Sequence, residues 1–423
     1  MEQKKYFSEL LPVLADRAKL SAIGELAFAN EPLQRHLREI FTRSYGAPGA
    51  FLADPTFEAV FGWKKGEKKM SELAGNLLTH ALVTAMDAPP AELKKDYRFA
   101  KSLRPYAHQL EAWRILGDED PKSLIVASGT GSGKTECFMV PILDSLVRER
   151  ENLGKLIGVR ALFLYPLNAL INSQRERFRA WTHAFGEDIR FCLYNGNTPE
   201  KEPARIQREY KNEVLDRQSL RSQPPPLLVT NATMLEYMLV RSVDTPILRQ
   251  SQGKLKWVVL DEAHTYIGSQ AAEAALLIRR VLLAFGVKPE EVRFVATSAT
   301  IGDPQGEAGQ KLRQFLADVA GVSQENVYLV SGEREIPALP RQREISNLSL
   351  AELTETDASG DPSILFDELA KNETARKIRH RFVGRPDRPP VAALAEVCAE
   401  IFPGKQEFYA TEKGEALGWL DLR

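Results

Sequence analysis

The sequence contains few cysteines, and they are scattered. The 423 residues include three, Cys137, Cys192 and Cys398. None lies within the short spacing that joins neighbouring ligands of a zinc site, and three distant cysteines do not form a disulfide framework. This usage is typical of reduced packing residues in a cytosolic protein, so we expect a cytoplasmic location.

Long hydrophobic runs are also missing. The most apolar helical stretch, residues 274–285, is interrupted by Arg279 and Arg280, and the N-terminus lacks the apolar core of a signal peptide. We therefore expect no membrane partner.

Charge of one sign does not dominate the chain. Lysine and arginine number 56 against 57 aspartates and glutamates, which leaves a formal net charge of −1. Any nucleic-acid binding must therefore come from a local surface. The lysine-rich segment 64–69 could contact phosphates, although a solvated loop is the simpler interpretation.

Glycine is concentrated where chemistry is expected. The apolar residues 124–126 predict a buried strand, a glycine-rich turn follows, and a helix begins at Lys134. Such a turn lets backbone N–H groups and the positive end of the helix bind phosphates, while Lys134 adds charge and the Thr135 hydroxyl can ligate Mg²⁺. Ser128 replaces the first glycine of the G-x-x-x-x-G-K-[ST] pattern. The predicted nucleotide-binding residues here are Ser128, Gly129, Thr130, Gly131, Ser132, Gly133, Lys134, Thr135 and Glu136.

Two residues upstream of this turn are candidates for contacts with a base. The amide of Gln109 offers both a donor and an acceptor to adenine, and the ring of Tyr106 can stack on it. A surface glutamine without this role remains the alternative.

Beyond residue 158, short apolar strands alternate with helices. With the strand before the glycine turn, the predicted strands number six: 124–126, 159–165, 191–194, 227–229, 257–260 and 294–296. This alternation predicts an α/β fold with a doubly wound parallel sheet and a ligand at the carboxyl ends of its strands.

An acidic pair follows the strand at 257–260. Asp261 could hold Mg²⁺ and Glu262 could polarise an attacking water, with His264 close by in sequence. Ser298 and Thr300 end the next strand, at the same predicted edge of the sheet.

Together these motifs resemble the first motor domain of superfamily 2 helicases. Gln109 matches the adenine motif, residues 128–135 match motif I, 261–264 match motif II (DEAH) and 298–300 match motif III. The resemblance implies a RecA-like P-loop NTPase domain that uses ATP and Mg²⁺. It also implies catalytic roles for Lys134, Asp261, Glu262, Ser298 and Thr300, and a role for His264 in passing on the nucleotide state.

The resemblance extends to nucleic-acid motifs. Residues 165–170 correspond to motif Ia and residues 230–235 to motif Ib, which in the family hold one strand by its backbone. The implied strand contacts are Pro166, Leu167, Asn168, Gln174, Gly196, Thr230, Asn231 and Thr233.

Finer detail resembles the large bacterial DUF1998-type helicases. Residues 195–199 and 265–268 carry this resemblance. The sequence of residues 164–174 resembles the anti-phage defence branch of these helicases more than the DNA-repair branch. This implies single-stranded or partly duplex DNA as the favoured partner, and partner proteins of a defence system.

No second RecA-like domain is evident after Val330. We expect a helical accessory domain at 1–100, the RecA-like domain at 101–332, and a linker with a helical segment at 333–423, truncated before a second lobe that joins downstream or in trans. Alone, the chain would then hydrolyse ATP very slowly. The alternatives are a nucleotide-dependent binding scaffold without turnover, and a P-loop kinase or transporter ATPase, which leaves residues 165–168 and 298–300 unexplained.

Overall fold

The architecture comes from a computed structural model. It describes residues 6–26, 30–41, 45–47, 50–129, 131–263, 269–298, 306–339, 346, 348–358, 362–383 and 390–422.

The described residues form nineteen α-helices and nine strands. The helices are α1 Phe7–Leu26, α2 Glu31–Phe41, α3 Met70–Leu73, α4 His80–Asp87, α5 Lys94–Tyr97, α6 Ala107–Leu116, α7 Lys134–Leu153, α8 Asn168–Thr182, α9 Ala204–Glu209, α10 Arg217–Ser222, α11 Ala232–Val240, α12 Thr245–Gln250, α13 Ser269–Phe285, α14 Glu307–Ala320, α15 Leu350–Ala358, α16 Pro362–Lys371, α17 Glu373–Val383, α18 Leu394–Ile401 and α19 Ala410–Asp421. The strands are β1 Thr56–Glu58, β2 Ser123–Ala127, β3 Ala161–Leu164, β4 Phe191–Tyr194, β5 Leu227–Thr230, β6 Trp257–Leu260, β7 Arg293–Ser298, β8 Val327–Ser331 and β9 Val391–Ala393.

Seven strands form one parallel sheet in the order β4-β5-β3-β6-β7-β2-β8. Successive side chains of a strand point to opposite faces, and both faces of this sheet are buried. Leu124 and Val126 of β2 lie in one apolar cluster, whereas Ile125 lies in the other. The predicted doubly wound α/β fold is therefore confirmed.

The sheet has one strand more than the sequence predicted. β8 pairs in parallel with β2 at the edge of the sheet, from Ser123 opposite Val327 to Ala127 opposite Ser331. The prediction of six strands was therefore wrong by one. Tyr328 and Leu329 are not fully buried, so this edge strand lacks the continuous buried run that marks the central strands.

The register brings several functional segments to one edge of the sheet. Ala127 lies opposite Ser298, and Leu164 lies between Thr230 and Leu260 on its two neighbours. Because all these strands are parallel, the loops that follow them emerge at the same carboxyl edge.

The chain divides into two compact units, residues 63–335 and residues 1–62 with 336–423. This division differs from the predicted boundary near residue 100. Helices α3 and α4 contribute Met70, Leu73, Leu82 and Met86 to the same buried cluster as Trp113 of α6. Apolar packing thus joins residues 63–100 to the sheet.

The unit of residues 63–335 has its two ends side by side. The Lys64 N–H donates to the carbonyl of Glu333 at 2.9 Å, and the Lys64 ammonium pairs with the same residue's carboxylate at 2.8 Å. The Arg334 guanidinium lies 3.4 Å from the ring centroid of Trp63.

The other unit is built from two distant segments of sequence. Strand β1 pairs antiparallel with β9, and Phe57 packs in a small core with Phe382, Leu394 and Leu417. The carboxylate of Asp421 accepts hydrogen bonds from the N–H groups of Phe7, at 2.6 Å, and Ser8, at 3.2 Å, which caps α1.

Among the described helices, none combines the length and the apolar character needed to cross a bilayer.

Candidate nucleotide site and nucleic-acid groove

The turn between β2 and α7 requires glycine at two described positions. Gly131 and Gly133 have φ angles of 71° and 72°, in the left-handed region that glycine tolerates best. A Cβ on Gly133 would also lie only 2.3 Å from the amide nitrogen of Gln109. The turn can therefore close only around glycine, which leaves its backbone free to approach a phosphate.

Ser128, which replaces the first glycine of the motif, pairs with a second buried serine, Ser132. The hydroxyls of Ser128 and Ser132 lie 2.6 Å apart and form a hydrogen bond across the turn. Each serine is 1% exposed. The departure from the usual pattern therefore adds a side-chain link across the loop.

Two residues of α6 hold this loop from behind. His108 Nε2 lies 2.8 Å from the carbonyl oxygen of Ser132, so this nitrogen carries the proton and donates. Burial lowers the pKa of His108, which keeps the ring neutral. The Gln109 amide donates to the Gly133 carbonyl at 3.2 Å and accepts from the Tyr106 N–H at 2.9 Å.

These contacts bear on the predicted adenine site. The Gln109 side chain is 3% exposed, and its bonds leave one N–H and one lone pair for a base. Tyr106 stacks on His108 with ring centroids 5.6 Å apart and planes 13° apart. Gln109 and Tyr106 line the cavity beside the loop, and adenine recognition stays a prediction.

Lys134 begins α7 directly after the turn. Its ammonium lies 3.4 Å from the carbonyl oxygen of Ser298, at the end of β7. The side chain thus crosses from the glycine turn to the neighbouring strand and faces the cavity between them.

The acidic pair after β6 is held by the end of β7. The Thr297 hydroxyl donates to the carboxylate of Asp261 and accepts from the backbone N–H of Glu262, the latter at 2.9 Å. Glu262 has a φ of 52°, an unusual conformation for a residue other than glycine and a common one at functional sites. The threonine therefore fixes both acids at once.

Burial raises the pKa of Asp261. The hydrogen bond from Thr297 and the charge of Lys134 oppose this effect but do not overcome it. A buried carboxylate with an unfavourable environment is suited to a site that acquires a cation, because the cation compensates the charge.

The donor atoms here fit magnesium. The carboxylate of Asp261 and the hydroxyl of Thr135 are hard oxygen ligands, and Mg²⁺ commonly takes only one or two protein ligands beside phosphates and water. The described residues contain no cluster of three or more His, Cys, Asp or Glu that could hold a metal ion.

A cavity of about 1070 Å³ lies beside the glycine turn and reaches Glu262 of the acidic pair. Its lining includes Gly131, Lys134, Thr135 and Glu262, together with Gln109. The sequence prediction missed further lining residues, Lys65, Lys69, Phe99, Arg104 and Arg177. The two lysines belong to the segment for which a solvated loop was the simpler interpretation.

Two asparagines meet at the predicted nucleic-acid motifs. The amide of Asn231 donates to the side-chain oxygen of Asn168 at 2.8 Å, and Asn231 also caps α11 by accepting from the Met234 N–H at 2.8 Å. Both asparagines line a second cavity of about 680 Å³ with Pro166, Leu167 and Thr233. Motifs Ia and Ib thus share one groove.

Helix α13 forms the other wall of this groove. It contributes Gln270, Glu273, Ala274, Leu277 and Ile278, and α11 contributes Glu236. The described lining contains two carboxylates and no lysine or arginine. Sequence reasoning missed this wall because amphipathic spacing alone does not tell which helix faces a groove.

Three residues that were predicted to contact a nucleic-acid strand do not line the groove. Thr230 is fully buried and its hydroxyl donates to the Tyr194 carbonyl at 2.6 Å, so it has a structural role in place of the predicted strand contact. The carboxamide oxygen of Gln174 accepts from Arg177 at 2.8 Å. Gly196 is exposed in the loop after β4.

Several predicted residues lie outside the described part of the chain: Thr130, His264 and Thr300. Among the described residues at the end of β7, Thr297 contacts the acidic pair with its hydroxyl and lies next to the predicted Ser298. Alternation along a strand is the signal that could have favoured Thr297, because its side chain and that of Ser298 point to opposite faces.

Comparison with known proteins identifies the relatives of this site. Residues 106–307 match the model of the DEAD/DEAH box helicase family. The Druantia protein DruE of Escherichia coli is 29% identical over 360 residues, which cover 62% of this chain and 19% of that protein. The uncharacterized ATP-dependent helicase YprA of Bacillus subtilis is 30% identical over 210 residues, which cover 49% of this chain and 24% of that protein.

Among solved structures, the DUF1998 helicase MrfA bound to DNA and AMPPNP overlaps 72% of this chain and 37% of its own, with 21% identity and a TM-score of 0.45. The predicted resemblance to superfamily 2 helicases is confirmed by the family match and the curated relatives. The chain spans about a quarter or less of the length of those two relatives.

Proposed function

We propose that residues 63–335 are the ATP-binding lobe of a superfamily 2 motor that moves along or unwinds nucleic acid, with DNA as the favoured substrate. The observation that carries this proposal is that Lys134 and Glu262 line one cavity at the carboxyl edge of the sheet, with Asp261 held next to Glu262 by the Thr297 hydroxyl. The groove around Asn168 and Asn231 lies at the same edge.

In this proposal the glycine turn and Lys134 bind the β- and γ-phosphates of ATP. Thr135 and Asp261 would hold Mg²⁺, and the ion would supply positive charge to neutralise the phosphates during transfer. Glu262 orients and polarises the attacking water, and the Thr297 hydroxyl holds Glu262 in place through its backbone N–H. Gln109 and Tyr106 contact adenine with the atoms that their internal bonds leave over. Ser298 and Thr300 contribute to catalysis at the same edge of the sheet, and His264 passes on the nucleotide state.

The strand-binding part of the proposal places one backbone across Pro166, Leu167 and Asn168 on one side and Asn231 and Thr233 on the other. Amide and main-chain donors suit sequence-independent contact with phosphates. We expect binding to weaken with salt, with a slope of about −0.7 in log affinity for each phosphate that cations neutralise on a single strand. Crosslinks confined to residues 64–69 would contradict this surface.

Hydrolysis needs more than this lobe supplies. In related phosphoryl transfers, an arginine supplied by another domain or protein raises the rate of hydrolysis by a factor of about 10³ to 10⁵. We propose that a second RecA-like lobe, downstream or in trans, provides it. The similarity to a Druantia protein supports a place among anti-phage defence proteins, with partner proteins of such a system.

Single-turnover ATP hydrolysis by residues 1–423, with and without single-stranded DNA, tests the proposal. We expect ATP binding, hydrolysis close to background, and an increase when the second lobe is added. A protein that binds ATP and DNA but gains no turnover from that lobe would be a nucleotide-dependent scaffold instead. Rapid DNA-stimulated turnover by residues 1–423 alone would contradict the need for a second lobe.

A further inference from the structure

One arginine joins the nucleotide cavity to the helix that carries motif Ia. Arg177 lies on α8 and lines the cavity around Lys134 and Glu262. One guanidinium nitrogen lies 3.4 Å from the carboxylate of Glu136, and another donates to the Gln174 side chain at 2.8 Å. The arginine therefore contacts both the first turn of α7 and its own helix.

The carboxylate partner sits next to the phosphate-binding residues. Glu136 directly follows Thr135, and its carboxylate lies 3.0 Å from the point that a Cβ on Gly133 would occupy. The backbone carbonyl of Glu136 accepts from the Trp113 indole at 2.9 Å. A shift of this residue would therefore be felt by the glycine turn.

The ion pair is sheltered from solvent. The side chains of Arg177 and Glu136 are 23% and 15% exposed. The guanidinium also lies 6.0 Å from the ring centroid of Tyr97 and 5.9 Å from that of Trp181. Partial burial strengthens the attraction relative to a surface pair and limits the positions that the arginine can adopt.

Helix α8 begins at Asn168, in the groove. At about 1.5 Å per residue, Arg177 lies roughly 14 Å further along the helix axis. A packed helix moves largely as one body, so a strand that shifts Asn168 also shifts Arg177 against Glu136. The same element thus contacts both cavities.

We infer that the Arg177–Glu136 pair is the positioning link through which strand binding in the groove changes the affinity of the nucleotide site. This inference rests on the proposed function, because it needs both ligands to bind. Arg177 acts through Glu136 and the glycine turn and makes no required contact with the phosphates.

The test measures the coupling between the two ligands on residues 1–423. A fluorescent ATP analogue is titrated with and without a single-stranded DNA oligonucleotide, and the oligonucleotide is titrated with and without AMPPNP. Coupling is reciprocal, so both titrations must give the same factor, and about fivefold or more is typical of an allosteric pair. Wild-type protein, Arg177→Gln, Glu136→Gln and the double variant are compared.

We expect each single variant to reduce the coupling factor below about twofold. Arg177→Gln should bind each ligand alone within about threefold of wild type, whereas Glu136→Gln also alters the nucleotide loop and is judged by its coupling factor alone. The double variant should lose no more than either single one, because the two residues act as a unit. The matched control is Arg148→Gln, which removes another arginine–carboxylate pair, with Asp144 at 2.8 Å on the distal part of α7. It should leave the coupling unchanged.

Three outcomes would overturn the inference. Coupling that persists in Arg177→Gln would make the pair merely structural. A loss of ATP affinity of tenfold or more, with ADP affinity unchanged and coupling retained, would make Arg177 a direct γ-phosphate ligand. Wild-type protein that binds both ligands without coupling would refute the inference but not the proposed function, whereas failure to bind either ligand would refute the proposed function.

Discussion

The two cavities at the carboxyl edge of the sheet are built in opposite ways. The nucleotide cavity is braced by buried polar contacts, among them those of Ser128 with Ser132, His108 with Ser132, and Thr297 with the acidic pair. The groove has one recorded side-chain bond between its two motifs, from Asn231 to Asn168. The polar groups around the nucleotide cavity are therefore held in place by one another before a ligand arrives.

Their charges differ as well. Lysines and arginines line the nucleotide cavity beside Glu136 and Glu262, whereas the described lining of the groove carries only Glu236 and Glu273 as charged groups. A tightly held triphosphate requires preplaced cations. Under the proposed function, a nucleic-acid strand must be released repeatedly, and neutral donors suit this because strong phosphate contacts would slow its departure.

The largest effect should come from Glu262→Gln, measured as ATP turnover in a form that carries both lobes. We expect turnover to fall by about 10² to 10⁴, because the amide keeps the shape but cannot polarise water as a carboxylate does. Nucleotide affinity should change little. Glu290→Gln, an exposed change in the same unit, is the control. A normal rate in Glu262→Gln would show that this acid is not catalytic.

Lys134→Ala should remove the stabilisation that ATP gives to residues 1–423. At a hundredfold excess over the dissociation constant, ATP stabilises a one-site protein by about 2.7 kcal/mol. We expect the ATP-dependent rise in melting temperature seen in wild type to disappear in the variant, because the variant lacks the positive charge that Lys134 places on the phosphates. Lys155→Ala, which removes only a surface pair with Glu187, should keep the full shift. An unchanged shift in Lys134→Ala would mean that the glycine turn has been misassigned.

Asp261→Asn should separate stability from function. The raised pKa of Asp261 means that its ionised form is unfavourable in the folded protein. This penalty is absent when the pH is below the pKa of Asp261 in the unfolded chain, and it is fully present once the pH exceeds the pKa in the folded protein. Without nucleotide, the variant should be more stable by about 1 kcal/mol at pH 8, and this gain should shrink toward pH 4. Mg²⁺-dependent nucleotide binding should be lost.

Denaturant melts of both proteins in EDTA across this pH range provide the measurement. Exposed Asp120→Asn serves as the control and should not show the same pH-dependent gain. A variant less stable than wild type at pH 8 would show that the Thr297 bond outweighs the burial of the charge.

The smallest effect belongs to the groove. Two unit charges about 8 Å apart in water interact by about 0.5 kcal/mol, so Glu273→Gln should raise single-strand affinity roughly twofold at low salt. The gain should vanish at high salt because the charge is exposed. Fluorescence anisotropy with a labelled oligonucleotide measures it, with Glu151→Gln on α7 as the control. Unaltered affinity would place the strand away from α13.

The sequence allowed prediction of what is local. The strand before the glycine turn, the start of α7 at Lys134, and the acidic pair after β6 each depend on a few consecutive residues. Contacts between distant segments were less accessible. Thr230 is a buried structural residue where the sequence predicted a contact with nucleic acid, and Thr297 holds both members of the acidic pair. Both outcomes depend on which face of its β-strand each side chain occupies.

Other features required the full packing. Arg177 reaches the nucleotide cavity from α8. The motifs of the sequence predicted only a contact with nucleic acid for this helix. The edge strand β8 and the unit boundary near residue 62 depend on which segments pair after the chain has folded back on itself. Periodicity within one segment carries no record of such partners.

The discontinuous unit also imposes an order of events during protein synthesis. The Asp54 carboxylate accepts from the Ala395 N–H, a partner 341 positions later in the chain. At about 5 to 20 residues per second, a ribosome needs on the order of 20 to 70 s to make the intervening chain. Within that interval all of residues 63–335 emerge, and their adjacent ends allow them to fold before the unit of residues 1–62 has received its second half. Phe57 and its neighbours therefore lack their packing partners until α17, α18 and α19 have been translated.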